Sequence, residues 1–161
     1  MFGIRIIREI IVEMIADNRW ILCQILFAGY MVALSAEDIR KKRLPLLFLL
    51  SGTVFIIIQG FCGREISMIS LMAGGAVGAL FLLISRMTRE SFGYGDSILI
   101  LVMGMFLGFG NIIYLLMGAF SMAAVFSIVM LIKTQFSRKS AFPFVPFLAA
   151  AYIGGMLLGN Y

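Results

Sequence analysis

The sequence has no histidine, only two cysteines (Cys23 and Cys62), and few charges, with Asp, Glu, Lys and Arg making up 13% of its 161 residues. A structural zinc site needs about four clustered ligands, so the missing histidine and the two distant cysteines exclude that kind of metal centre, and no cofactor is expected. Charge is also too scarce for a water-soluble domain. Hydrophobic residues make up 62% of the chain, against about 45–50% in soluble domains. The net charge of +5 does not point to nucleic acid, because such a partner requires a basic face on a folded soluble module, and the chain has no polar stretch long enough to build one.

What remains is a membrane protein. A span needs about 20 largely apolar residues, and cutting the chain at its charges leaves six candidates. These are Trp20–Glu37, Leu44–Phe61, Ser67–Ser85, Asp96–Phe109, Asn111–Ile132 and Phe142–Gly159. The runs are continuous rather than alternating, which excludes a β-barrel. The expected fold is all-α: six transmembrane helices forming one membrane domain over 20–161, preceded by a separate segment over 1–19. In that segment Ile4, Ile7, Ile11 and Ile15 recur at helical spacing between Arg5, Arg8, Glu9, Glu13 and Asp17. The pattern is that of an amphipathic helix lying in the membrane interface. The charges that break it make a poor core for a signal peptide.

Basic residues orient the spans. The loops Asp38–Arg43, Ser85–Gly95 and Lys133–Ala141 carry four, two and three Lys or Arg, whereas Cys62–Ile66 carries one and Gly110–Asn111 none. Lys and Arg collect in short cytoplasmic loops, so the first group of loops is expected to face the cytoplasm, against anionic lipid. With six spans, both termini then fall outside. Asp38 closes the first span and Asp96 opens the fourth, so both acids arrive on the cytoplasmic side.

Asp96 ends the tetrapeptide Gly93-Tyr94-Gly95-Asp96 and leads directly into an apolar run. An ionisable group at the edge of a membrane segment is expensive and marks a functional site. The fourth span covers only about 21 Å at 1.5 Å per residue, less than a hydrocarbon core of about 30 Å, so Asp96 is expected in a recess. Glycines at 93 and 95 permit unusual backbone and close approach. Two carboxylates held together do not ionise independently, so one serves as acid and the other as base. Taken singly, Asp96 also reads as a helix-end charge and Asp38 as one charge among several. Gly74, Gly75 and Gly78 read as close packing between helices.

Together these residues resemble the type IV prepilin peptidase and preflagellin peptidase family, membrane aspartic proteases of the GxGD type. Asp38-Ile39-Arg40-Lys41-Lys42-Arg43-Leu44-Pro45 is similar to the family's first acidic segment, Gly93-Tyr94-Gly95-Asp96 to its second, and Phe142-Pro143-Phe144-Val145-Pro146-Phe147 echoes a late proline-rich motif. The sequence departs from the pattern at Leu46, where an asparagine is expected, and at Ile98, where a lysine is expected. The resemblance implies Asp38 and Asp96 as the catalytic pair, with Gly93, Tyr94, Gly95, Arg40, Arg43 and Pro45 as motif support. It also implies prepilin or pilin-like precursors as partners, cut at the leader junction on the cytoplasmic face of the cell membrane. Longer relatives carry a methyltransferase half with Cys-x-x-Cys pairs, which this sequence lacks, so a short form is expected. Cys23 and Cys62 fall near the outer ends of their spans and read either as a pair or as packing residues. Two other classes stay open: a non-catalytic scaffold of a pilus or secretion machine, and a small cation or proton transporter.

Overall fold

A computed structural model describes residues 7, 18–41, 46–61, 66–88, 93–133 and 143–159. They form α1 (Arg19–Lys41), α2 (Leu46–Phe61), α3 (Met68–Met87), α4 (Tyr94–Leu107), α5 (Phe109–Lys133) and α6 (Val145–Leu157), with no strand among the described residues. The all-α expectation holds. The proposed interfacial helix over 1–19 lies outside the described residues apart from isolated positions, as do Cys62 and therefore any pairing with Cys23.

Helix length by itself supports three of the six expected spans among the described residues. Among the described residues, α1, α3 and α5 are long and apolar enough to cross a bilayer, while α2, α4 and α6 are apolar over 16, 14 and 13 residues. The chain is thus a multi-pass membrane protein with at least three full-length crossings. The first helix also runs past the expected end at Glu37. A Glu37–Lys41 ion pair at 3.0 Å, spaced i,i+4, spans this extra turn, which therefore contains Asp38.

The short helix α4 sits at the centre. It packs against α2, α3 and α5, and Phe106 stacks on Trp20 and Phe27 of α1, with centroids 5.6 and 4.2 Å apart. Eight of its fourteen residues are buried. Helix α1 instead buries a single stripe, Cys23 and Gln24, then Phe27, Met31, Leu34 and Asp38. Those steps of three and four residues trace one helix face.

Helices α3 and α4 form the closest pair, and glycine makes that possible. A Cβ on Gly74 would run into the Gly104 carbonyl, one on Gly104 into Gly74, and one on Gly78 into the Leu101 backbone. Membrane helices have little hydrophobic drive to associate and rely on such close backbone approach. The expected role of Gly74, Gly75 and Gly78 is therefore visible. The turn from α4 to α5 falls at Gly108, two residues before the expected break, because Gly108 adopts φ +81°, where a side chain is disfavoured. Beside it, Ser70 Oγ accepts the Phe109 amide at 3.1 Å.

Candidate functional site

Asp38 is the last residue of the buried α1 stripe and is 6% exposed. Its position follows from the helix period: four residues beyond Leu34, it must face the same interior as Phe27 and Met31. Asp96 lies in the first turn of α4, two residues after Tyr94, and is half-buried. The two acids interact coulombically, so α1 and α4 bring them to one end of the bundle. Burying two carboxylates at one site disfavours a second negative charge there.

Each acid also meets the amino-terminal end of a helix. Asp96 occupies the first turn of its own helix, where the exposed amides favour an anion. Gly93 is the N-cap and provides no side-chain cap. A Cβ on Gly93 would stand 2.7 Å from Asp96 Oδ2, so any side chain there would displace the carboxylate. This gives a physical reason for the first glycine of Gly93-Tyr94-Gly95-Asp96. Asp38 accepts a hydrogen bond from the Val145 backbone amide at the start of α6. Its other oxygen, Oδ2, is buried without a hydrogen-bond partner among the described residues.

The remaining expected residues separate into groups. Tyr94 is exposed and Gly95 half-buried beside Asp96. Arg40 is exposed and lies roughly 200° around α1 from Asp38 at 3.6 residues per turn, so the two leave the helix in nearly opposite directions. Arg43 and Pro45 lie outside the described residues. Ile98, at the position expected to carry lysine, packs against the apolar core. Two contributors were not anticipated. Ser97 is fully buried and donates to the carbonyls of Phe81 (3.3 Å) and Gly93 (3.2 Å), tying the Asp96 turn to α3. The other is the Val145 amide. Pro146, at the first turn of α6, is the sequence signal that marks this helix start.

The other polar residues named from the sequence can also be placed. Ser51, Thr53 and Ser121 donate to carbonyls of their own helices at 2.6–2.7 Å, Ser127 is exposed, and Gln59 is buried. Among the described residues, no group of three or more His, Cys, Asp or Glu is placed to hold a metal.

Comparison with known proteins identifies a family and relatives of this chain. The model of the type IV leader peptidase family matches residues 25–128, a stretch that includes both acids. The chain is 28% identical over 159 residues to the prepilin leader peptidase/N-methyltransferase of Aeromonas salmonicida strain A449, covering 94% of this chain and 55% of that protein. It is 29% identical over 145 residues to the protein of the same description from Aeromonas hydrophila, covering 86% and 50%. The chain thus spans about half the length of these curated relatives. No solved structure matches it.

Proposed function

The chain belongs to the type IV leader peptidase family, and from that membership we propose that it is an intramembrane aspartic endopeptidase removing the leader of prepilin-like precursors. The observation that carries the reading is the meeting of Asp38 and Asp96, delivered from separate helices to one partly buried site. One carboxylate takes a proton from water as it attacks the scissile carbonyl, and the other, protonated, gives its proton to the departing amine. The pair titrates as a unit. First-turn amides of α4 around Gly95, where no side chain caps the helix, are suited to the developing oxyanion.

Basic loops put this end of the bundle at the cytoplasmic face of the cell membrane, with both termini on the far side. The substrate's apolar helix enters from the bilayer, and its leader junction is held extended across Gly93–Asp96. Residues 20–161 act as one peptidase domain, with 1–19 as an interfacial helix. Arg40 and Arg43 anchor the loop to lipid, and Pro45 belongs to the same motif.

Co-expression with a candidate prepilin tests the assignment. Wild type removes the leader. Asp38→Ala and Asp96→Ala each lower the rate by about 10³-fold or more, in line with the contribution of general acid–base groups. Leader removal that survives either substitution sinks the reading. A scaffold role draws its support from Ile98, an apolar residue packed into the core, and pilus or secretion assembly unimpaired by Asp38→Ala would favour it.

A further inference from the structure

The carboxylate of Asp38 is engaged by a helix outside the stretch that the family model matches, which ends at residue 128. Helix α6 begins at Val145, after Phe144, and the donors at its start can be counted. Pro146 has no N–H. The amides of Phe147 and Leu148 both turn back to the Phe144 carbonyl, at 3.0 and 3.3 Å. Of the four residues from Val145 to Leu148, only Val145 therefore directs an amide away from α6, and that amide meets Asp38. Phe144 and Val145 are themselves buried, which limits competition from water. The far end of the contact is fixed as well: Tyr152 of α6 packs edge-on against Phe27 with centroids 5.2 Å apart, and its hydroxyl donates to the Gln24 carbonyl at 3.4 Å.

We infer that the start of α6 is the positioning element for Asp38: the Val145 amide holds one carboxylate oxygen, leaving the buried Oδ2 as the oxygen that works with Asp96. This inference rests on the peptidase reading, because a positioning role requires a reaction to position for. A hydrogen bond to an ionised group is among the stronger kinds, and a backbone donor keeps its direction through side-chain substitution. Pro146 contributes by removing the neighbouring amide, so that the Val145 donor alone defines the geometry.

The test uses the full chain in lipid, with the amide of Val145 replaced by an ester through incorporation of the α-hydroxy analogue of valine. Two controls separate positioning from packing. The same ester at Leu148 removes a bond to the Phe144 carbonyl without touching Asp38, and Val145→Ala trims the side chain but keeps the amide. Cleavage of a prepilin gives kcat and KM, and the infrared carboxyl band of Asp38 is identified by its loss in Asp38→Asn. The Val145 ester is expected to lower kcat by about tenfold or more, the scale of a lost charge-assisted hydrogen bond, to leave KM nearly unchanged and to move the Asp38 band. Both controls are expected to keep the band in place, and the Leu148 ester is expected to keep kcat close to wild type. A cleaving enzyme whose Asp38 band is unmoved by the Val145 ester, or one in which Val145→Ala lowers kcat as far as the ester does, overturns this inference alone. A wild-type protein that does not cleave overturns the peptidase reading, and the positioning role with it.

Discussion

Helices α4 and α5 follow one another across the single residue Gly108 and are built from the same apolar residue classes, yet the protein surrounds one and leaves the other largely facing outward. In α4, Leu99, Ile100, Met103 and Phe106 are completely buried. In α5, burial is confined to Ile112, Leu115, Leu116 and Ala119, and beyond them Val125, Ile128, Leu131 and Ile132 are exposed. Average hydropathy does not separate these cases, because hydrocarbon lipid and a protein interior are both apolar. Length does. A 25-residue helix reaches across a bilayer, whereas a 14-residue helix does not. The shorter one can be enclosed with a carboxylate at its end, because neighbouring helices rather than lipid surround it.

The largest expected break in this contrast comes from bulk added to the α3–α4 seam. In Gly78→Val the new Cβ falls on the Leu101 backbone, an obstacle that cannot rotate away. Overpacking commonly costs about 1–3 kcal/mol against movable side chains, and a backbone obstacle places this variant at or above the top of that range. Unfolding followed in detergent should show loss of the cooperative transition, and with it the anchorage of the Asp96 turn. A cooperative transition at the wild-type midpoint would mean that α4 is not clasped as closely as described.

Next in size is a pair of identical truncations. Phe106 is fully buried and stacked on Phe27, whereas Phe126 is 43% exposed on α5. Phe106→Ala should cost about 3 kcal/mol, at the low end for a buried aromatic, because in lipid the loss is of packing rather than of water exclusion. Phe126→Ala should cost less than about 1 kcal/mol by the same reasoning. Equal losses in a denaturation series would erase the distinction between an enclosed helix and a lipid-facing one.

Much of this architecture is legible in the sequence, and the exceptions have physical causes. The apolar runs locate all six helices. The step from Leu34 to Asp38 continues the buried stripe, so the orientation of Asp38 is a matter of helix period. Charge alone misplaces the end of α1, because Glu37 and Lys41 read as boundary residues when considered singly but stabilise one more turn as a pair. Hydropathy alone also does not tell the enclosed α4 from α2, where Leu47, Leu50, Val54 and Ile57 are exposed, since it registers apolarity without registering what covers it. The Val145 donor is invisible for a different reason. Every residue but proline has a backbone amide, and only the proline that follows hints that this one is left over. Ser97 shows the same limit from another side, since a serine in a membrane helix usually bonds within its own turn, whereas this one also reaches the Phe81 carbonyl of α3.

The smallest effect sharpens the comparison most, because it reverses sign between the two helix pairs. Gly118 lies inside α5, and a Cβ there would meet only the Ala151 Cβ of α6 at 3.6 Å, an ordinary van der Waals distance. Gly118→Ala removes the backbone freedom that makes glycine a poor helix residue, a penalty of about 0.8–1.0 kcal/mol in water. Part of that advantage is lost in a bilayer, where the unfolded reference is already helical, so a gain of about 0.5 kcal/mol is expected. The same glycine-to-alanine change at Gly74 should destabilise, because its Cβ is driven into the Gly104 carbonyl. Thermal midpoints of the two variants in one detergent decide the matter. A rise for Gly118→Ala and a fall for Gly74→Ala would mean that glycine in α3 serves approach while in α5 it is a tolerated vacancy. A fall in both would show that α5 and α6 are held as tightly as α3 and α4, and the division between an enclosed and a lipid-facing half would fail.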